Sequence, residues 1–261
     1  MKFYMEDNMY MEDNMYLSSK EIKNCFVKAY REIFPPALAL SGFARKRDIF
    51  HKFINNQVVV LLGYKYYHPN EFTIQWEIYP LCDGAEFEVF MDSNYGTDGL
   101  FGENGRWVFG AYDDNNSITQ RAYKVLEFVQ TNVLPIVSDI TDYESCYRTM
   151  RKVDEKMGLL GNTVIPNGDL MHYGNLLLAI GEYENALKAK KAILYQNSVI
   201  ANIQPTHHNY PRYLKRVEEY NFLARLIEDK CYNEIQSFIK EKEDFSLASY
   251  RKKFLGVKTT K

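Results

Sequence analysis

Val58, Val59, Val60, Leu61 and Leu62 form an uninterrupted apolar run, and this run constrains the chain more than any other feature. It is short and rich in β-branched side chains, so it reads as a strand. No polar residue interrupts it, so it reads as a central strand. The flanking segments supply neighbours. Residues 48–53 read as the strand before it. Residues 72–81 read as a strand after it, with Phe72, Ile74, Trp76 and Ile78 alternating against Thr73, Gln75, Glu77 and Tyr79. Tyr67, His68, Pro69 and Asn70 mark the turn between. Residues 86–91 alternate in the same way, and 106–112 are the last strand candidate. Short connections between successive strands favour an antiparallel meander.

Helical patterns bracket these strands. Ser18 or Ser19 caps a helix with one apolar stripe: Ile22, Cys25, Phe26, Ala29, Tyr30 and Ile33. Pro35 and Pro36 are expected to end it. After the sheet, Asn116 or Ser117 caps a helix running to about residue 132. Pro135 interrupts it, and Thr141 caps another helix extending toward Lys156. The expected fold class is α+β: an antiparallel meander sheet with helices on one face, followed by an all-helical C-terminal region. The expected division is a disordered tail over 1–17, an α+β domain over 18–157 and a helical domain over 158–261. The boundary falls in the Gly-, Asn- and Pro-rich stretch 158–169. The tail carries a short tandem duplication, MEDNMY at 5–10 and again at 11–16. Beyond the boundary, 170–180 and 184–195 read as a helical hairpin. Residues 212–228, 232–240 and 245–254 read as three further helices.

The hairpin resembles a tetratricopeptide unit. Gly174, Gly181-Glu182-Tyr183 and Ala186 hold the positions at which that family needs small residues and a turn-filling Tyr, with Leu170 in place of its Trp. Tyr232-Asn233-Glu234-Ile235 is a weaker echo. The resemblance implies a peptide-binding repeat surface. The first half has its own resemblance. It rests on Ser41-Gly42-Phe43-Ala44-Arg45-Lys46, then Ile49-Phe50, the apolar strand, Glu71-Phe72-Thr73-Ile74 and, after the sheet, Val133-Leu134-Pro135. That order is similar to the bacterial domain-of-unknown-function family 4304 over roughly residues 18–150, with Gln75 where Asn is usual. It implies a bacterial origin and a helix-plus-sheet fold, and supplies no activity or catalytic residues.

Charge and composition narrow the function. Lys and Arg total 32 against 34 Asp and Glu, so no global field draws the chain to nucleic acid. No stretch approaches the ~20 apolar residues of a membrane span. Cys25, Cys82, Cys146 and Cys231 are scattered without zinc spacing and read as free thiols in a reducing cytoplasm. No metal or cofactor is expected. Asp92, Asn94, Asp98 and Glu103 copy the oxygen spacing of a calcium loop, but Thr97 occupies the place that needs Gly, so the segment reads as a solvated acidic loop. His207-His208 reads as a surface pair, and Arg45-Lys46-Arg47 as a charged strand entrance able to touch phosphate.

With 21 Tyr and 16 Phe, the chain has material for an aromatic binding surface. The first functional expectation is therefore a non-enzymatic protein-binding module, by analogy with small bacterial proteins that neutralise toxins. Asp92, Asp98, Glu103, Asp113 and Asp114 would meet a basic protein partner. The alternative is an enzyme acting in a cleft between the two regions, with His68, Glu77 and Tyr79 as candidate groups.

Overall fold

Ser18 starts the first helix, α1 (Ser19–Leu40), through a capping box. Its hydroxyl accepts the Glu21 N–H, and the Glu21 carboxylate accepts the Ser18 N–H at 2.7 Å. The helix does not end at Pro35 and Pro36 as the sequence suggests; it runs through both to Leu40. Pro35 has no N–H to give the Arg31 carbonyl four residues back. The Arg45 guanidinium donates to that oxygen instead, at 3.0 Å. A residue from the sheet edge thus repairs the helix ladder.

This computed structural model describes residues 17–68, 70–87, 95–109, 113–160 and 164–257, with the side chains of Tyr67 and His68 also outside the description. The expectations for the tail before Leu17, for most of the strand at 86–91 and for Asp92 fall outside it.

The fold is α+β. Six strands form one antiparallel sheet: β1 (Ala44–Lys46), β2 (Ile49–Ile54), β3 (Val58–His68), β4 (Glu71–Pro80), β5 (Tyr95–Gly96) and β6 (Arg106–Val108). The first four follow one another as a meander, and β4 then pairs with β5 along one stretch and β6 along another. Arg47 and Asp48 make the two-residue turn between β1 and β2, with Arg47 at φ 58°. Asn55 and Asn56 take left-handed φ values between β2 and β3, which Asn tolerates better than other side chains. The last strand is described as far as Val108, the Phe109 N–H bonds the Asn70 carbonyl at 2.8 Å, and residues 110–112 of the expected strand lie outside the described residues. Part of the expected acidic loop is ordered into β5, helix α2 (Thr97–Phe101) and a 3-10 turn, Gly102–Gly105. A Cβ at Gly105 would collide with the Thr97 carbonyl, so only Gly closes that turn.

The sheet's first face carries Phe50, Val58, Val60, Leu62, Phe72, Ile74, Trp76 and Ile78. It packs on α1 and α3 (Asn115–Phe128); Phe26 lies 3.8 Å from Phe72 between ring centroids. A π-helical turn, Val129–Val133, leads into α4 (Leu134–Ser138), which takes Pro135 in its first turn where no N–H is needed. α5 (Tyr143–Lys156) follows, capped by Asp142 rather than Thr141.

The C-terminal region is helical: a 3-10 stretch (Gly168–Tyr173), α6 (Gly174–Ala179), α7 (Tyr183–Tyr195), α8 (Tyr210–Glu228) and α9 (Tyr232–Tyr250). The two helices expected over 232–254 are one. Lys240 pairs with Asp244 at 3.1 Å and Glu243 at 3.5 Å, so the polar run between the apolar segments is itself helical. A π-helical turn, Arg251–Leu255, extends α9. The α6–α7 and α8–α9 hairpins close with the same paired hydrogen bonds, from Gly181 and Glu182 in one and from Lys230 and Cys231 in the other. Tyr183 and Tyr232, which open α7 and α9, stack at 4.9 Å. The core of the first sheet face continues into Tyr173, Leu176, Leu177, Ala186, Leu223 and Ile235, so residues on the two sides of position 158 bury one another. Among the described residues no helix is long and apolar enough to cross a membrane.

Candidate functional site

Strand alternation sends Val59 and Leu61 to the second sheet face, opposite Val58, Val60 and Leu62. There Tyr250 and Phe254, at the end of α9, cover them together with Phe87. Three contacts fix this helix end. The Tyr250 hydroxyl lies 2.8 Å from His51 Nδ1, the Tyr250 ring stacks on Phe53 at 5.2 Å, and the Phe254 ring lies 4.7 Å from that of His51. Two serines of α9 clip the segment after β4 alongside. Ser246 donates to the Leu81 carbonyl at 2.9 Å and accepts the Ala85 N–H at 2.6 Å, and Ser249 accepts the Phe87 N–H at 2.8 Å.

This arrangement leaves a cleft of about 800 Å³ between the β1–β2 turn, Glu86-Phe87 and α9. Ile49, Phe87, Phe245 and Phe254 give it apolar walls. Phe245, Ser249 and Lys252 recur at helical spacing and so present one stripe to it. Lys46, Arg47, Lys252 and Lys253 line it as well, against the single carboxylate of Glu86 among the described lining residues. Lys46 Nζ donates to the Lys253 carbonyl, joining the two rims. Among the described residues no carboxylate pairs with Lys46, Arg47 or Lys252. Beneath the wall, burial pushes the His51 imidazole below its usual pKa, and the charge of Lys46 adds to this. His51 is thereby held neutral, and the positive charge stays on the rim. A concavity with an aromatic wall and a cationic rim suits an anionic group carried on an apolar body.

The residues expected from sequence lie elsewhere. Asp114 caps α3, taking the Ser117 N–H at 2.7 Å, and that bond holds its carboxyl below the usual range. Asp113 is buried, 3.1 Å from Arg121. Asp98 sits in the first turn of α2, and Glu103 is exposed in the turn after it. Glu77 and Tyr79 are brought together: the Tyr79 hydroxyl donates to the buried Glu77 carboxylate, and the Tyr79 ring meets Phe87 edge-on at 4.9 Å. They stand behind the cleft wall rather than in it. The side chain of His68 and all of Asp92 are outside the described residues. Among the described residues no three metal-ligating side chains converge. The Arg45-Lys46-Arg47 run was the one sequence signal of the cleft. Comparison of the chain with protein-family models, curated proteins and solved structures gave no match.

Proposed function

We propose that this chain is a protein-binding module that captures an acidic, apolar segment of a partner in the cleft at the end of α9. The observation that carries the reading is the pairing of Lys46, Arg47 and Lys252 with the walls formed by Phe87, Phe245 and Phe254. A carboxylate-bearing peptide gains charge-assisted contacts at the rim and buries its apolar side chains below. Phe245 is 53% exposed, an apolar ring waiting at the mouth.

Fluorescence anisotropy tests the proposal. The probe is a labelled peptide of alternating Glu and Phe, with a Lys–Phe peptide of equal length as control. The acidic peptide binds, and its affinity falls as salt rises from about 50 to about 200 mM, because rim charges are screened. Binding of the Lys–Phe peptide alone overturns the proposal. It would favour instead a basic partner at Asp98 and Glu103, which have no ion-pair partner among the described residues.

A further inference from the structure

The chain contains a segment with the chemistry the cleft selects. Residues 1–16 read MKFYMEDNMYMEDNMY, and each copy of the repeat sets a Glu–Asp pair between Met and Asn-Met-Tyr. Glu6, Asp7, Glu12 and Asp13 oppose only Lys2, so the segment is acidic, while its Met, Phe and Tyr side chains are apolar. Methionine thioethers pack well against aromatic rings, and the cleft offers Phe87, Phe245 and Phe254.

We infer that the N-terminal MEDNMY repeat is an intramolecular ligand of the cleft. A Glu–Asp pair faces Lys46, Arg47 and Lys252, and the adjoining Met and Tyr rest on the phenylalanine wall. The inference rests on the proposal that the cleft takes acidic segments, and it names one such segment and a way of regulating access.

Reach permits it. From Ser19 to Arg31, α1 rises about 18 Å. Arg31 is paired at 2.7 Å with Asp48, the turn residue beside Arg47, so the cleft rim is one helix segment and one layer away from the start of α1. Sixteen residues span at most about 55 Å when extended. The first copy of the repeat, residues 5–10, begins twelve residues before Leu17 and reaches the rim with chain to spare. Tethering gives it an effective concentration on the order of millimolar, enough to compete with a partner of modest affinity.

The test uses the full chain and a full-chain variant, Glu6→Gln, Asp7→Asn, Glu12→Gln and Asp13→Asn, with the labelled Glu–Phe peptide as probe. The substitutions lie ahead of the capping box, so the fold is left alone. The variant binds the probe about tenfold more tightly than the unaltered chain, and a synthetic peptide of residues 1–16 displaces the probe from the variant. Equal affinities for the two chains overturn the inference and leave the proposed function standing. Failure of both chains to bind the probe overturns the inference and the proposed function together.

Discussion

The Tyr250 hydroxyl lies 2.8 Å from Nδ1 of His51, 199 residues earlier in the chain. His51 is 5% exposed and Tyr250 4%. This contact seats the C-terminal helix on the second sheet face and thereby makes one wall of the cleft. Removing the hydroxyl leaves a buried ring nitrogen without its partner. Tyr250→Phe is predicted to cost about 1–3 kcal/mol in urea unfolding, and Phe254→Ala about 3 kcal/mol, the low end for a large aromatic because its rim edge is open.

The same histidine predicts a pH dependence. Burial lowers its pKa in the folded chain, with Lys46 acting in the same direction. The unfolded chain therefore takes up the proton first. The stability tied to neutral His51 is complete above its ordinary value near 6.5 and is lost as pH falls through the lowered folded value. His51→Gln is predicted to flatten the acid limb of a plot of unfolding free energy against pH.

Asp83 works in the opposite sense. It lies in the turn after β4, near Lys190 and Lys242, and burial raises its pKa to about 7, although both cations and a hydrogen bond with Asn175 oppose the rise. The folded chain here binds the proton more tightly than the unfolded one. The associated stability is present below about pH 4 and declines as pH rises through 7. Asp83→Asn removes the decline. Between pH 5 and pH 8 the unaltered protein is predicted to lose about 2–3 kcal/mol relative to the variant, by urea unfolding at each pH.

Lys190 joins three helices. Its ammonium lies 2.7 Å from Asn175 on α6 and 2.5 Å from Glu219 on α8, and Lys242 of α9 meets the other Glu219 oxygen at 3.3 Å. Lys190→Met leaves Glu219 with one cation. The predicted cost is about 2–3 kcal/mol, less than for a fully buried pair because Glu219 is about one-third exposed.

Much of the fold was legible from period and caps. The meander, its central strand and the helix at Ser18 follow from local pattern, and each depends on residues within a few places of one another. The proline stop was not legible, because the donor that replaces the missing N–H comes from Arg45, fourteen residues beyond Arg31. A double-mutant cycle tests this account. Arg45→Met is predicted to cost about 1 kcal/mol, and less in a Pro35→Ala background, where the helix regains its own N–H. The cleft was hidden for the same reason on a larger scale. Lys46, Phe87 and Phe254 carry no mutual signal in sequence, and only the packing of Tyr250 on β2 brings them together. The structural parts of Asp113 and Asp114, one paired with Arg121 and the other capping α3, were not legible either, because a carboxylate beside a loop is equally suited to holding the next helix.

The central claim is that exposed cations on the cleft rim draw in an acidic segment. The most direct test measures anisotropy of the labelled Glu–Phe peptide with the double variant Arg47→Glu and Lys252→Glu, two exposed positions that no ion pair among the described residues uses. Two reversals at about tenfold each predict an affinity about 100-fold weaker, with the melting temperature unchanged. Undiminished binding by the double variant would contradict the account.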